Sequence, residues 1–186
     1  MKRLGLGLWL LLVVLVGCSP QTSSYVNDEV DYSFIDRAAV LPFQNLSQDL
    51  HAGTRMHSVF TTAVLEKDAL GMVDLGETLA AMARLRISPD AALTPEQITA
   101  LGEELQVQAL FHGVVEEYGA ERVSNDRVYM VTATFTMMET QTGSLVWKAQ
   151  VHSDGTSFLR KLFGGGSASL FDVSRNAVDQ ALETLF

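Results

Sequence analysis

Arg127-Val128-Tyr129-Met130-Val131-Thr132-Ala133-Thr134-Phe135-Thr136-Met137-Met138 decides the fold. Tyr129, Val131, Ala133, Phe135 and Met137 alternate with Thr132, Thr134 and Thr136, the period of a strand with one core face and one wet face. Residues 108–118 read as the preceding strand, reached through the turn Ser124-Asn125-Asp126. Downstream, Thr140-Gln141-Thr142-Gly143 supplies another turn. Residues 144–152 follow as a strand with Leu145, Trp147, Ala149 and Val151 on one side. Three consecutive strands with short turns predict an antiparallel meander.

Upstream, residues 35–43 carry the apolar run Ala38-Ala39-Val40-Leu41, too short for a helix and stopped by Pro42, so a buried strand is expected. Residues 44–48 read as a turn. Met56, Val59, Phe60, Ala63 and Val64 then fall on one face of a helix spanning about 50–67. Met72-Val73-Asp74-Leu75 is a short strand, and 77–86 a helix with Leu79, Met82 and Leu85 on one side. Thr94-Pro95-Glu96-Gln97 is a capping-box signature with proline at the first helical position, which starts a helix at Pro95 that runs to about Leu105. A last helix over about 170–185 carries the stripe Leu170, Val173, Ala177, Val178, Ala181, Leu182 and Leu185. The order β-α-β-α-α-β-β-β-α predicts an α/β sandwich, a mixed sheet of about five strands packed by helices, in one domain over 34–186.

The first 17 residues are a targeting segment. Lys2 and Arg3 precede an unbroken apolar run from Leu4 to Val16, which as a helix reaches only about 20 Å, short of the roughly 30 Å hydrocarbon core. Leu15-Val16-Gly17-Cys18 resembles the lipobox of bacterial lipoproteins, which implies cleavage before Cys18 and fatty acylation of Cys18. Several acyl chains on one cysteine hold a protein to a membrane without help from its folded part. Ser19 stands where an Asp would, by the same resemblance, favour the inner membrane, so the periplasmic face of the outer membrane is expected. Residues 18–33, polar and without periodicity, read as the acylated cysteine and a flexible tether of at most about 50 Å.

Charge narrows the choice of partner. The chain has 13 Lys+Arg against 22 Asp+Glu, a net charge of −9, and losing Lys2 and Arg3 deepens it to about −11. Nucleic acid, which requires clustered cations, is excluded as a partner, and overall charge opposes binding to anionic lipid. Cys18 is the only cysteine, so no intrachain disulfide can form.

The sequence carries no recognisable catalytic constellation. His51 and His57, six apart, miss the spacing of a helical zinc pair; His112 and His152 sit on expected strands with no recommending carboxylate. Gly164-Gly165-Gly166 lacks the lysine of a phosphate loop, and Glu116-Glu117, adjacent on a strand, should face opposite sides. No enzyme, metal, cofactor or small-molecule substrate is indicated. The segment that stands out is Phe158-Leu159-Arg160-Lys161-Leu162-Phe163, an apolar and basic cluster beside glycines, which reads as a candidate interaction loop.

Three motifs carry a family resemblance. Ala39-Val40-Leu41-Pro42-Phe43-Gln44-Asn45-Leu46-Ser47, then Gly113-Val114-Val115 with Tyr118, then Thr142-Gly143 with Trp147 resemble the periplasmic domain shared by the curli-secretion lipoprotein CsgG, the penicillin-binding-protein activator LpoB and the amino-terminal domain of TolB. That resemblance implies an envelope assembly or interaction module that binds another envelope protein or itself. The alternative it carries is a subunit of a CsgG-like oligomeric export channel. Here only 154–169 could form an inserted segment, and it is long enough for part of one hairpin, since each crossing strand needs about 9–11 residues.

Overall fold

The computed structural model describes residues 21–27, 34–123, 126–155 and 168–186. Within them the expected α/β architecture is present, with seven strands in place of about five. The strands are β1 Gln21–Val26, β2 Arg37–Val40, β3 Gln44–Asn45, β4 Gly71–Val73, β5 Ala109–Val123, β6 Asp126–Glu139 and β7 Leu145–Asp154. The helices are α1 Ala52–Glu66, α2 Leu75–Arg84, α3 Pro95–Leu105 and α4 Leu170–Leu182. One sheet runs in the order β1-β7-β6-β5-β2-β4, with β3 also paired to β5. β4, β2 and β5 are mutually parallel, whereas β5, β6, β7 and β1 are antiparallel.

The alternation of β6 sets the two faces. Val131, Ala133, Phe135 and Met137 join Phe111, Trp147, Ala149 and Val151 in a core closed by α1 and α4. α1 contributes Met56, Phe60, Ala63 and Val64, and α4 contributes Val173, Ala177, Val178, Ala181 and Leu182. A second, smaller core lies on the opposite face, where Ala39, Leu41, Val73 and Leu110 meet Met82 of α2 and Ile98, Leu101 and Leu105 of α3. This second layer covers the β4-β2 side, the start of β5 and Met138 at the end of β6.

Capping sets the helix boundaries. Thr94 Oγ1 accepts from Gln97 N while the Gln97 side chain accepts from Thr94 N, the reciprocal box expected from the sequence. Ser169 and Asp172 repeat the device at α4, and Asp74 caps α2 by accepting from Gly76 N at 2.7 Å. In the β6–β7 turn, Glu139 is buried and accepts from the backbone of Gln141 and from both Thr142 N and Oγ1. Gly143 there has φ 72°, and a side chain on it would collide with Pro95.

Two sequence expectations are corrected. Residues 44–48 are not all turn: Gln44 and Asn45 pair with Val114 and Val115, and the turn begins at Asn45, whose Oδ1 accepts from Ser47 N and Oγ. The tether expected over 18–33 is interrupted by β1, whose six residues pair antiparallel with β7 from Gln21↔His152 to Val26↔Trp147. β1 is polar and lacks alternation because it is an edge strand. Its backbone supplies the ladder, while on the face shared by Thr22, Ser24 and Val26, Thr22 bonds to Gln180 of α4 and Val26 packs on the core.

A Cβ on Gly113 would lie 2.6 Å from the Phe43 ring, which is hemmed in by His57, Phe60 and Phe135. A Cβ on Gly119, in the same strand, meets nothing within 4 Å. In urea denaturation Gly113→Ala should therefore lose about 1–3 kcal/mol, whereas Gly119→Ala should stay within about 0.5 kcal/mol of the parent.

Candidate functional site

Among the described residues, no helix covers the second face of the sheet where α2 and α3 do not reach. Thr132, Thr134 and Thr136 of β6 project onto it, with Lys148, Gln150 and His152 of β7 at the paired positions. The exposed Tyr25 of β1, opposite Lys148, extends the same face to the sheet edge.

A bulge in β5 concentrates polar groups there. Pairing steps from Val115↔Ala133 to Glu117↔Thr132, so Glu116 is an extra residue in the strand. The expectation that Glu116 and Glu117 face opposite sides is thereby overturned. Glu116 Oε1 accepts from Thr134 Oγ1 at 2.8 Å, and Glu117 Oε2 accepts from Thr132 Oγ1 at 2.7 Å. Both carboxylates lie over the threonine face. Glu116 Oε2 is buried without a hydrogen-bond partner among the described residues.

His152 completes the group, its Nδ1 lying 2.9 Å from Thr132 Oγ1 and 3.9 Å from Glu117 Oε2. A carboxylate can only accept, so the Thr132 proton goes to Glu117 and the histidine Nδ1–H donates to the Thr132 oxygen. The hydroxyl is thus committed on both sides. Beside it runs a shallow groove of about 360 Å³ lined in part by Leu46, Ser47, Glu116, Glu117, Tyr118 and Met130. The assembly presents hydrogen-bonding groups that are engaged mainly with one another. No group of three His, Cys, Asp or Glu side chains among the described residues is placed to hold a metal ion.

The remaining histidines separate as their spacing requires. His51 is exposed at the start of α1, and His57 is buried with Nε2 3.3 Å from the Val40 carbonyl oxygen, to which it donates. Burial pushes the His57 imidazole below its ordinary pKa of 6.5 against the opposing pull of that carbonyl, and burial lowers His112 likewise. Cys18 and the loop residues Phe158, Leu159, Arg160, Lys161, Leu162 and Phe163 lie outside the described residues. Sequence reasoning missed the grouping of Glu116, Glu117 and His152, because a bulge leaves no mark on the alternation of Val114-Val115-Glu116-Glu117.

No protein-family model matches this chain, and no curated protein matches it in sequence. Solved structures do match in shape. The PelC dodecamer from Paraburkholderia phytofirmans superposes with TM-score 0.62 at 17% identity, covering 89% of this chain and 98% of that one. Lipoprotein GNA1162 from Neisseria meningitidis gives 0.58 at 19% identity, over 80% of this chain and 99% of its own. The LpoB C-terminal domain from Salmonella enterica gives 0.50 at 13% identity, over 67% and 87%. The chain has the fold of these proteins. It is a fold that a bacterial lipoprotein uses, and no helix among the described residues is long and apolar enough to cross a membrane.

Replacing Thr134 by Val strands both oxygens of Glu116, so Thr134→Val should lose about 1–3 kcal/mol in urea denaturation. In a Glu116→Ala background the same change should be nearly neutral. His57 gives a pH signature: with its folded pKa below its unfolded value, the unfolded chain binds more protons as pH falls below 6.5. The melting temperature should therefore drop from pH 7 toward pH 5, and His57→Gln should flatten that slope.

Proposed function

We propose that this chain is a lipoprotein, cleaved after Gly17, acylated on Cys18 and held at the periplasmic face of the outer membrane. Its α/β domain then works by protein contact, as an assembly or interaction module, and not by catalysis. The observation that carries this reading is β1. Only Ser19 and Pro20 separate Cys18 from a strand hydrogen-bonded along β7, so a lipid on Cys18 would hold the folded domain itself at the membrane. The fold shared with lipoprotein GNA1162 and with the LpoB C-terminal domain supports the same conclusion.

The contact we favour is between copies of this chain, because the fold is also that of the PelC dodecamer. The candidate surface for it is the loop carrying Phe158, Leu159, Arg160, Lys161, Leu162 and Phe163. It leaves the sheet at Gly155, whose N–H donates to Tyr129 O, and returns at Ala168 beside it, at the end of the sheet where β1 begins. A CsgG-like export channel is the further step along this line, in which the multimer encloses a path.

Light scattering on the acylated full-length chain in detergent, beside a Cys18→Ser chain made without residues 1–17, tests these readings. A multimer is expected for the acylated form. Phe158→Ser combined with Phe163→Ser should disperse it with the melting temperature unchanged. A monomer in both forms would remove self-association and the channel together, leaving a different envelope protein as the partner.

A further inference from the structure

The β5–β6 hairpin is longer than the sheet that supports it. β7 pairs with β6 only as far as Met130↔Asp154, but the β5–β6 ladder continues through Ala120↔Tyr129, Glu121↔Val128 and Arg122↔Arg127 to Val123↔Asp126. This overhang points out of the end of the sheet at which β1 starts. Gln21 is level with His152, His152 with Thr132, and Thr132 with Glu117. The Arg122↔Arg127 rung therefore stands five residues beyond the rung of Gln21, about 17 Å along the strands. Cys18 is three residues before Gln21, which limits it to about 11 Å from that rung even with the chain fully extended.

The tip carries an arrangement that the fold does not explain. Arg122 and Arg127 are directly opposite each other and exposed, and neither forms an ion pair among the described residues. Like charges facing each other across a two-stranded ribbon are destabilising, and the acidic neighbour Glu121 is paired one rung away with Val128 instead of facing either arginine. Two guanidiniums side by side match an anion with several oxygens, which they bind in a fork that lysine cannot reproduce.

We propose that the hairpin tip rests on the membrane that holds Cys18, with Arg122 and Arg127 on the phosphates of lipid headgroups. The inference rests on the acylation of Cys18 proposed above. A lipid at Cys18 brings the bilayer surface within reach of the Gln21 end, and the overhang carries the arginines to that surface or past it. The net negative charge of the domain opposes an anionic surface only over the screening length, whereas this contact is made by a local pair at headgroup distance. The domain then has two fixed points, the lipid at the sheet edge and the hairpin nearer its centre, and stands in one orientation with the β6–β7 turn pointing away.

The test uses the acylated full-length chain inserted into vesicles of phosphatidylethanolamine and phosphatidylglycerol doped with a headgroup-nitroxide lipid. Glu121→Cys places a fluorophore at the tip, and Glu96→Cys places one on α3 beside the distant β6–β7 turn. Strong quenching at position 121 with none at position 96 is expected. Arg122→Gln and Arg127→Gln should each lower the ratio of docked to undocked tips about fivefold, with the melting temperature unchanged. Equal, weak quenching at both positions, from protein that floats with the vesicles and carries lipid mass on Cys18, overturns the hairpin contact alone. Protein without that mass overturns the acylation reading and the hairpin contact with it.

Discussion

The structure depends on one aromatic seam. Phe60 of α1 stacks on Phe135 of β6 at 5.1 Å and meets Phe111 of β5 at 5.3 Å, Phe43 packs against both Phe60 and Phe135, and Phe111 meets Trp147 of β7 edge-on at 6.4 Å. Edge-to-face and offset geometry lets these rings interlock at full density. The seam joins the three meander strands to the helix that precedes them by about fifty residues. Trp147 then ties in the turn that follows the C-terminal helix, for its indole N–H donates to Thr184 Oγ1 at 2.9 Å. A chain without disulfides gets its register from this packing, since slipping β6 by one residue would exchange Phe135 for a threonine. By comparison, the exposed Arg175 bridge from α4 to Glu66 of α1 adds little.

Because that core needs only one face of the sheet, the other face is left for other purposes. α2 and α3 close it over β4, β2, the beginning of β5 and the end of β6, where Ala39, Leu41, Val73, Leu110 and Met138 are apolar residues that receive them. Beyond, the threonines of β6 keep the face polar, and the bulge at Glu116 turns a second carboxylate onto it. The division follows from composition: threonine suits a strand and does not require burial. What results is a domain with one sealed side and one hydrogen-bonding side.

Legibility in the sequence followed the range of the interactions. The start of α3 was readable because Thr94, Pro95 and Gln97 satisfy one another within four residues, and β6 was readable because its alternation is dictated by one buried neighbour layer. β1 was not readable, since Gln21-Thr22-Ser23-Ser24-Tyr25-Val26 forms a strand only because β7, more than a hundred residues away, presents an unpaired edge. The same limit hid the candidate site. Glu117 and His152 are neighbours through Thr132, and nothing short of the two registers places them together. Cys18 and the Phe158–Phe163 cluster, the most conspicuous features of the sequence, fall outside the described residues.

β1 also changes what the two ends of the domain can do. At the end with the β6–β7 turn, Glu139, Gly143 and Pro95 interlock, and Thr140 is held by donating to Val107 O at 2.7 Å, so turn, helix and strand are fixed to one another. At the other end β7 stops at Asp154 while β5 and β6 run on as a two-stranded ribbon, a form that is marginal without support. Arg122 and Arg127 face each other across it, while Val128 is buried and Tyr129 packs against the core at its base. β1 places the chain's own route to Cys18 at that same end. Among the described residues, the rungs of β5 and β6 that no third strand joins therefore lie at the end of the sheet nearest in the chain to Cys18.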